Sequence, residues 1–173
     1  MKLLRYGPRG QEKTGLLDNT GAVRDLSTHV PDLGGQAVGA LSALAQINAE
    51  TLPIVKAPGR IGACLSHVTN FYAIGLNYNA HAAEIGAAPP PEPILFSKAT
   101  SCLVGPNDPL RLPLGSETTD WETELGVVIG QAASHISEAR ALDVVAGYCL
   151  INDISERAFQ LERGGQWIKG KSA

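Results

Sequence analysis

The chain has 173 residues, 44% of them hydrophobic and 18% charged, and its 14 Lys and Arg against 17 Asp and Glu give a formal net charge of -3. That balance predicts a folded globular protein and excludes a disordered or low-complexity chain. The basic residues are spread without clustering, so no nucleic-acid surface is expected, and no apolar run approaches the ~20 residues that cross a bilayer.

In chain order, Met1 to Tyr6 meets Gly7-Pro8-Arg9-Gly10 before a signal-peptide core can form, which predicts a cytoplasmic protein. Lys2 to Tyr6, Thr14 to Leu17 and Ala22 to Leu26 are separated by turn chemistry at Gly7-Pro8-Arg9-Gly10 and Asp18-Asn19-Thr20-Gly21. This predicts a small antiparallel meander. Gln36 to Ala49 carries helical spacing, and Pro53 to Arg60 is a connector. A boundary near residue 70 divides the chain into a small N-terminal β-rich domain, 1–69, and a second domain, 70–173.

Phe71 to Leu76 is expected to be a buried strand and Asn77 to Ile85 a short helix. The prolines in Ala87 to Pro93 exclude helix and central strand there, which predicts a loop. Ile94 to Lys98, a turn-rich stretch to Gly115, and a strand from Trp121 to Ile129 follow. Then come a helix over Ser137 to Val144, a strand over Val145 to Ile151 and a helical stretch over Ser155 to Arg163. Cys64, Cys102 and Cys149 lack any Cys-x-x-Cys spacing and are expected to be buried thiols.

Three groups of residues carry candidate chemistry. Glu122 and Glu124 stand at i and i+2, so on a strand their carboxylates converge. Like charges that close repel and raise one pKa unless a cation lies between them. Two surface glutamates at a solvated strand start would show the same pattern. Asn152-Asp153, after the apolar strand, adds a third carboxylate, and three such oxygens suit Mg2+ or Mn2+. His81 and Glu84 lie at i and i+3 of the expected helix, either as a general-base pair or as an exposed ion pair. Gln160, Lys169 and Lys171 supply polar groups downstream of Asp153, and a lysine beside a metal can stabilise developing negative charge.

Taken together, Ile74-Gly75-Leu76-Asn77-Tyr78 with His81 and Glu84, Phe96-Ser97-Lys98, Asp120-Trp121-Glu122-Thr123-Glu124-Leu125, Asn152-Asp153-Ile154-Ser155-Glu156-Arg157 and Lys169-Gly170-Lys171-Ser172 resemble the fumarylacetoacetate hydrolase family. The resemblance runs over nearly the whole chain and is strongest to members described as 2,4-diketo-3-deoxy-L-fuconate hydrolase or ureidoglycolate lyase. It implies an α+β fold, a mixed β-sheet roll preceded by a small β-rich domain, in a homodimer. It further implies that Glu122, Glu124 and Asp153 bind Mg2+ or Mn2+, that His81 and Glu84 form a dyad on a lid, that Gln160 contacts substrate and that Lys171 stabilises an enolate. Lys98 falls in a family-like position without an assigned role.

The expected reaction is metal-dependent hydrolysis of a carbon-carbon bond in a small 2,4-diketo acid, releasing pyruvate. Ureidoglycolate cleavage, oxaloacetate decarboxylation and isomerisation are alternatives on the same scaffold. Members of the family continue well beyond the Lys-Gly-Lys-Ser motif, whereas this chain stops at Ala173. From another class, therefore, comes the expectation of a truncated fragment without catalysis.

Overall fold

The computed structural model describes residues 1–173. They form two compact units whose sequences interleave. The first comprises Met1–Val68, Val104–Leu110 and Thr123–Ile151; the second comprises Thr69–Leu103, Arg111–Glu122 and Asn152–Ala173.

The first unit opens with the expected meander. β1 (Lys2–Tyr6), β2 (Lys13–Leu17) and β3 (Val23–Asp25) form an antiparallel sheet in that order. Register pairs Leu4 with Gly15 and Leu16 with Arg24. The Asp18 carboxylate closes the second turn by accepting from the Thr20 and Ala22 N–H groups at 2.9 and 3.0 Å, the local bonding that suits Asp to turns.

The long helix expected over Gln36 to Ala49 is broken instead. α1 covers only Gln36–Gly39, and 3-10 turns follow at Leu41–Gln46 and Ala49–Thr51. Gly39 has poor helix propensity, and Leu44 of the turn that follows reaches the shared core. Leu16, Leu26, Val30, Leu33, Leu44 and Leu52 form the buried core, edged by Leu3, Leu41, Ile47 and Leu65. Each such side chain contributes about 1.5–3 kcal/mol when fully buried.

Segment 104–110 joins this unit through Arg60, whose Nε and Nη2 donate to the two Asp108 carboxylate oxygens at 2.6 Å each. β7 (Thr123–Ile129) pairs with β8 (Val145–Asn152). The segment before β8, expected as an α-helix, is a 3-10 turn at Glu138–Val144. The three cysteines are free thiols, as expected, but they are partly exposed rather than buried.

In the second unit, β4 (Tyr72–Gly75) pairs antiparallel with β5 (Ile94–Ser97), and α2 (Asn79–Glu84) follows β4. β6 (Thr119–Asp120) pairs antiparallel with β9 (Ser155–Glu156). α3 (Arg157–Leu161) and α4 (Ile168–Lys171) complete it. The expected helix from Ser155 thus begins two residues later, because Ser155 and Glu156 pair with β6. The Phe96 and Trp167 rings meet edge-on with centroids 5.4 Å apart, which seats α4 on the β4–β5 pair. No helix in the chain is long and apolar enough to cross a membrane.

Candidate metal centre

Glu122 lies one residue before β7, so the strand expected from Trp121 begins at Thr123. Two hydrogen bonds fix it beside Asp153: the Asp153 N–H donates to the Glu122 carbonyl at 2.8 Å, and the Glu122 N–H donates to the side-chain Oδ1 of Asn152 at 3.2 Å. Both acids are thereby held at the point where the chain leaves β8. Glu124 is the second residue of β7, and Glu122, Glu124 and Asp153 each offer a carboxylate oxygen within 4.8 Å of the others.

Three cations converge on Glu122 and Asp153. Lys171, at the end of α4, places Nζ 2.9 Å from both Glu122 oxygens and 3.0 Å from Asp153 Oδ2. Lys98, just past β5, donates to the other Asp153 oxygen, and Arg157 at the start of α3 pairs with Glu122. Arg157 also reaches Asp120, through Nη2 at 2.7 Å and Nε at 3.1 Å. Asp153 is 0% exposed and Lys98 and Lys171 are buried with it. Burial raises the Glu122 carboxyl, but Lys171 and then Arg157 outweigh it and hold the group below its usual range.

The donor set fits a hard divalent cation, since it is all carboxylate oxygen. The Lys171 ammonium lying between Glu122 and Asp153 shows that this pair is spaced to share one positive charge. The Lys98 and Lys171 ammonium groups are also what the buried Asp153 carboxylate requires, because an unpaired buried charge is strongly destabilising.

Other expected site residues lie elsewhere in the geometry. His81 and Glu84 meet on α2, Nδ1 to Oε2 at 3.6 Å, with side chains 47% and 78% exposed. The ion-pair network of Glu122 and Asp153 does not include them. Gln160 is buried, and its Oε1 accepts from Arg157 Nη1 at 3.1 Å. Lys171 faces the carboxylates.

Lys98 and Arg157 were not expected as partners of the acids. A lysine directly after an apolar strand, as in Ile94-Leu95-Phe96-Ser97-Lys98, is a signal for Lys98. Arg157 carries only its closeness to Asp153 in the sequence.

Residues 70–173 match the model described as the fumarylacetoacetate (FAA) hydrolase C-terminal domain. A protein of Burkholderia orbicola (strain MC0-3), named only as a candidate hydrolase, is 59% identical over 173 residues, covering 99% of this chain and 61% of its own length. The chain thus spans about three fifths of the curated relatives it matches. A fumarylacetoacetate hydrolase from Exiguobacterium antarcticum matches with a TM-score of 0.81 at 28% identity, over 100% of this chain and 62% of that one. A 5-carboxymethyl-2-hydroxymuconate delta-isomerase from Mycobacterium smegmatis matches with a TM-score of 0.72 at 27% identity, over 100% of this chain and 61% of that one. With the family model matched across the whole stretch that carries Glu122, Asp153 and Lys171, the chain belongs to the fumarylacetoacetate hydrolase family.

Proposed function

We propose that this chain carries the metal-binding part of an enzyme that hydrolyses a carbon-carbon bond in a small 2,4-diketo acid, releasing pyruvate. The observation that supports it most is the gathering of Glu122, Glu124 and Asp153, with the Lys171 ammonium between two of them. In this reading the three carboxylates hold Mg2+ or Mn2+, which supplies Lewis-acid polarisation of the keto-acid oxygens.

The residues of the chain do the rest. His81 Nδ1 lies 3.6 Å from Glu84 Oε2; in this reading the pair tightens over substrate, Glu84 accepts from the Nδ1 N–H and Nε2 is the basic nitrogen. His81 Nε2 takes a proton from water, and the resulting hydroxide adds to the distal carbonyl. The carbon-carbon bond then breaks, and its electron pair passes to the pyruvate fragment as an enolate. Lys171 meets that charge from a buried position, where electrostatic stabilisation is strong. The imidazolium returns its proton to the enolate carbon. Gln160 serves as a substrate contact, and α2 acts as a lid that orders His81 over the substrate.

The exposed face of β7 and β8, with Leu125, Val127, Ile129, Tyr148 and Leu150 at 50–82% exposure, supports the reading of a homodimer, because apolar patches of this kind mark association surfaces.

The test is ultraviolet loss of a 2,4-diketo acid by the purified chain, with Mg2+ and with chelator, beside Glu124→Ala. Metal-dependent loss with pyruvate release, abolished in the variant, is expected. No turnover by folded, metal-loaded protein would favour a fragment without catalysis. A second reading, isomerisation, draws on the likeness to the Mycobacterium smegmatis isomerase. It is favoured if a hydroxymuconate-type diene acid changes its absorbance without carbon-carbon cleavage.

A further inference from the structure

Glu156 is buried at 2% exposure in β9, three residues after Asp153, and its partners are hydroxyls and one backbone N–H. Oε2 accepts from Ser116 Oγ at 2.5 Å and Thr119 Oγ1 at 2.8 Å. Oε1 accepts from the Thr118 N–H at 3.1 Å and from Thr118 Oγ1. A buried carboxylate is tolerated only when its oxygens are satisfied in this way, and these bonds hold its pKa down at about 2.

Every donor lies on residues 116–119, the stretch that runs directly into Asp120 and Glu122. The backbones agree: Thr119 pairs with Glu156 and Asp120 with Ser155, while the Arg157 N–H donates to the Thr118 carbonyl at 3.1 Å. The other side of Glu156 faces α4. A Cβ on Gly170 would lie 2.4 Å from the Glu156 carbonyl oxygen and 2.5 Å from the Gln160 nitrogen, so only glycine lets the helix carrying Lys171 come this close. Glu156 therefore joins the approach to Glu122, the exit from Asp153 and the seat of Lys171.

We infer that Glu156 is a positioning residue whose hydroxyl cradle sets the spacing of Glu122 and Asp153, and thereby the affinity of the pair for a divalent cation. This rests on the metal reading of those carboxylates. Calorimetric titration of the purified chain with Mn2+ tests it, beside melting in chelator. Glu156→Ala should weaken Mn2+ binding by about tenfold or more, as loss of a residue supporting a metal ligand does. Glu156→Gln should stay within about twofold, because its amide oxygen accepts from Thr118 and the Ser116 and Thr119 hydroxyls rotate to accept from its NH2. Should Glu156→Ala not fold, Thr118→Val and Ser116→Ala remove single donors and should weaken binding in the same direction.

Variants that melt lower but bind Mn2+ as tightly as the parent would overturn the positioning role and leave the metal reading standing. Glu156→Gln as weak as Glu156→Ala would also overturn it, by making charge the determinant. A folded parent that binds no Mn2+ would overturn the metal reading and this inference together.

Discussion

The two compact units differ in what they hide from water. The buried side chains of the first include Leu16, Leu26, Leu33, Leu44 and Leu52, whereas those of the second include Lys98, Asp153, Glu156, Gln160 and Lys171, with Ala82 its one fully apolar buried residue. Apolar burial stabilises in proportion to area. Buried ion pairs roughly break even, since desolvation offsets their attraction. The interior of the second unit is thus poorly explained by stability alone, and interiors of that kind are where binding and catalytic groups concentrate.

The sharpest way to break the comparison is to remove one charge. Asp153→Ala leaves the Lys98 and Lys171 ammonium groups without the carboxylate they share, and loss of one partner from a buried pair costs about 3–5 kcal/mol. Urea unfolding should show a loss of that size, and added Mn2+ should no longer raise the midpoint. A loss under about 1 kcal/mol, the scale of an exposed pair, would mean that the second unit is wetter than its burial implies.

The apolar counterpart is Leu26→Ala. Leu26 is fully buried at the centre of the first unit, and a leucine truncation of this kind destabilises by about 2–5 kcal/mol. Here Mn2+ should raise the urea midpoint as much as in the parent, since Leu26 packs in the apolar cluster of Leu16, Val30, Leu33, Leu44 and Leu52. A Leu26→Ala protein whose midpoint no longer responds to Mn2+ would contradict this expectation.

Alkaline pH sharpens it from the other direction. Burial first, then its hydrogen bond to Asp25, pushes the Tyr6 hydroxyl up to about 12 from a usual value of 10.0. A raised folded-state pKa favours the neutral form. The contribution is therefore complete below pH 10 and lost between pH 10 and about 12, as the unfolded chain ionises first. Tyr6→Phe should flatten that part of the stability profile relative to the parent; an unchanged slope would show that Tyr6 ionises freely.

The same contrast governs what could be read from the sequence. The meander was legible because turn chemistry punctuates β1 to β3 at Asp18-Asn19-Thr20-Gly21 and the apolar runs are short. The helix over Gln36 to Ala49 was misread because its apolar spacing is satisfied by 3-10 turns after Gly39, where packing of Leu44 outweighs helix propensity. At the candidate metal centre, the Glu122 and Glu124 spacing was visible as an alternation, although Glu122 precedes the strand proper. Lys98, Arg157 and Glu156 were not visible in these roles. Each acts on a residue that only the folded chain brings near, and no periodicity records a contact such as Lys98 with Asp153 across 55 positions.

The smallest effects concern single hydroxyls. Thr14 on β2 is fully buried in the first unit, and its Oγ1 has no hydrogen-bond partner. Ser155 on β9 is equally buried in the second, but its Oγ donates to the Asp153 carbonyl at 3.2 Å. An unpaired buried hydroxyl carries a desolvation penalty, while a paired one contributes about 0.5–1.5 kcal/mol. Thr14→Val keeps the shape of the side chain and should be neutral or stabilising by up to about 1 kcal/mol, whereas Ser155→Ala should destabilise by a similar amount. Urea midpoints of the two variants give the comparison directly. Opposite signs mean that the Thr14 hydroxyl is an imperfection at its site while the Ser155 hydroxyl is part of the bonding around Asp153; a destabilised Thr14→Val would place a hidden polar contact at Thr14.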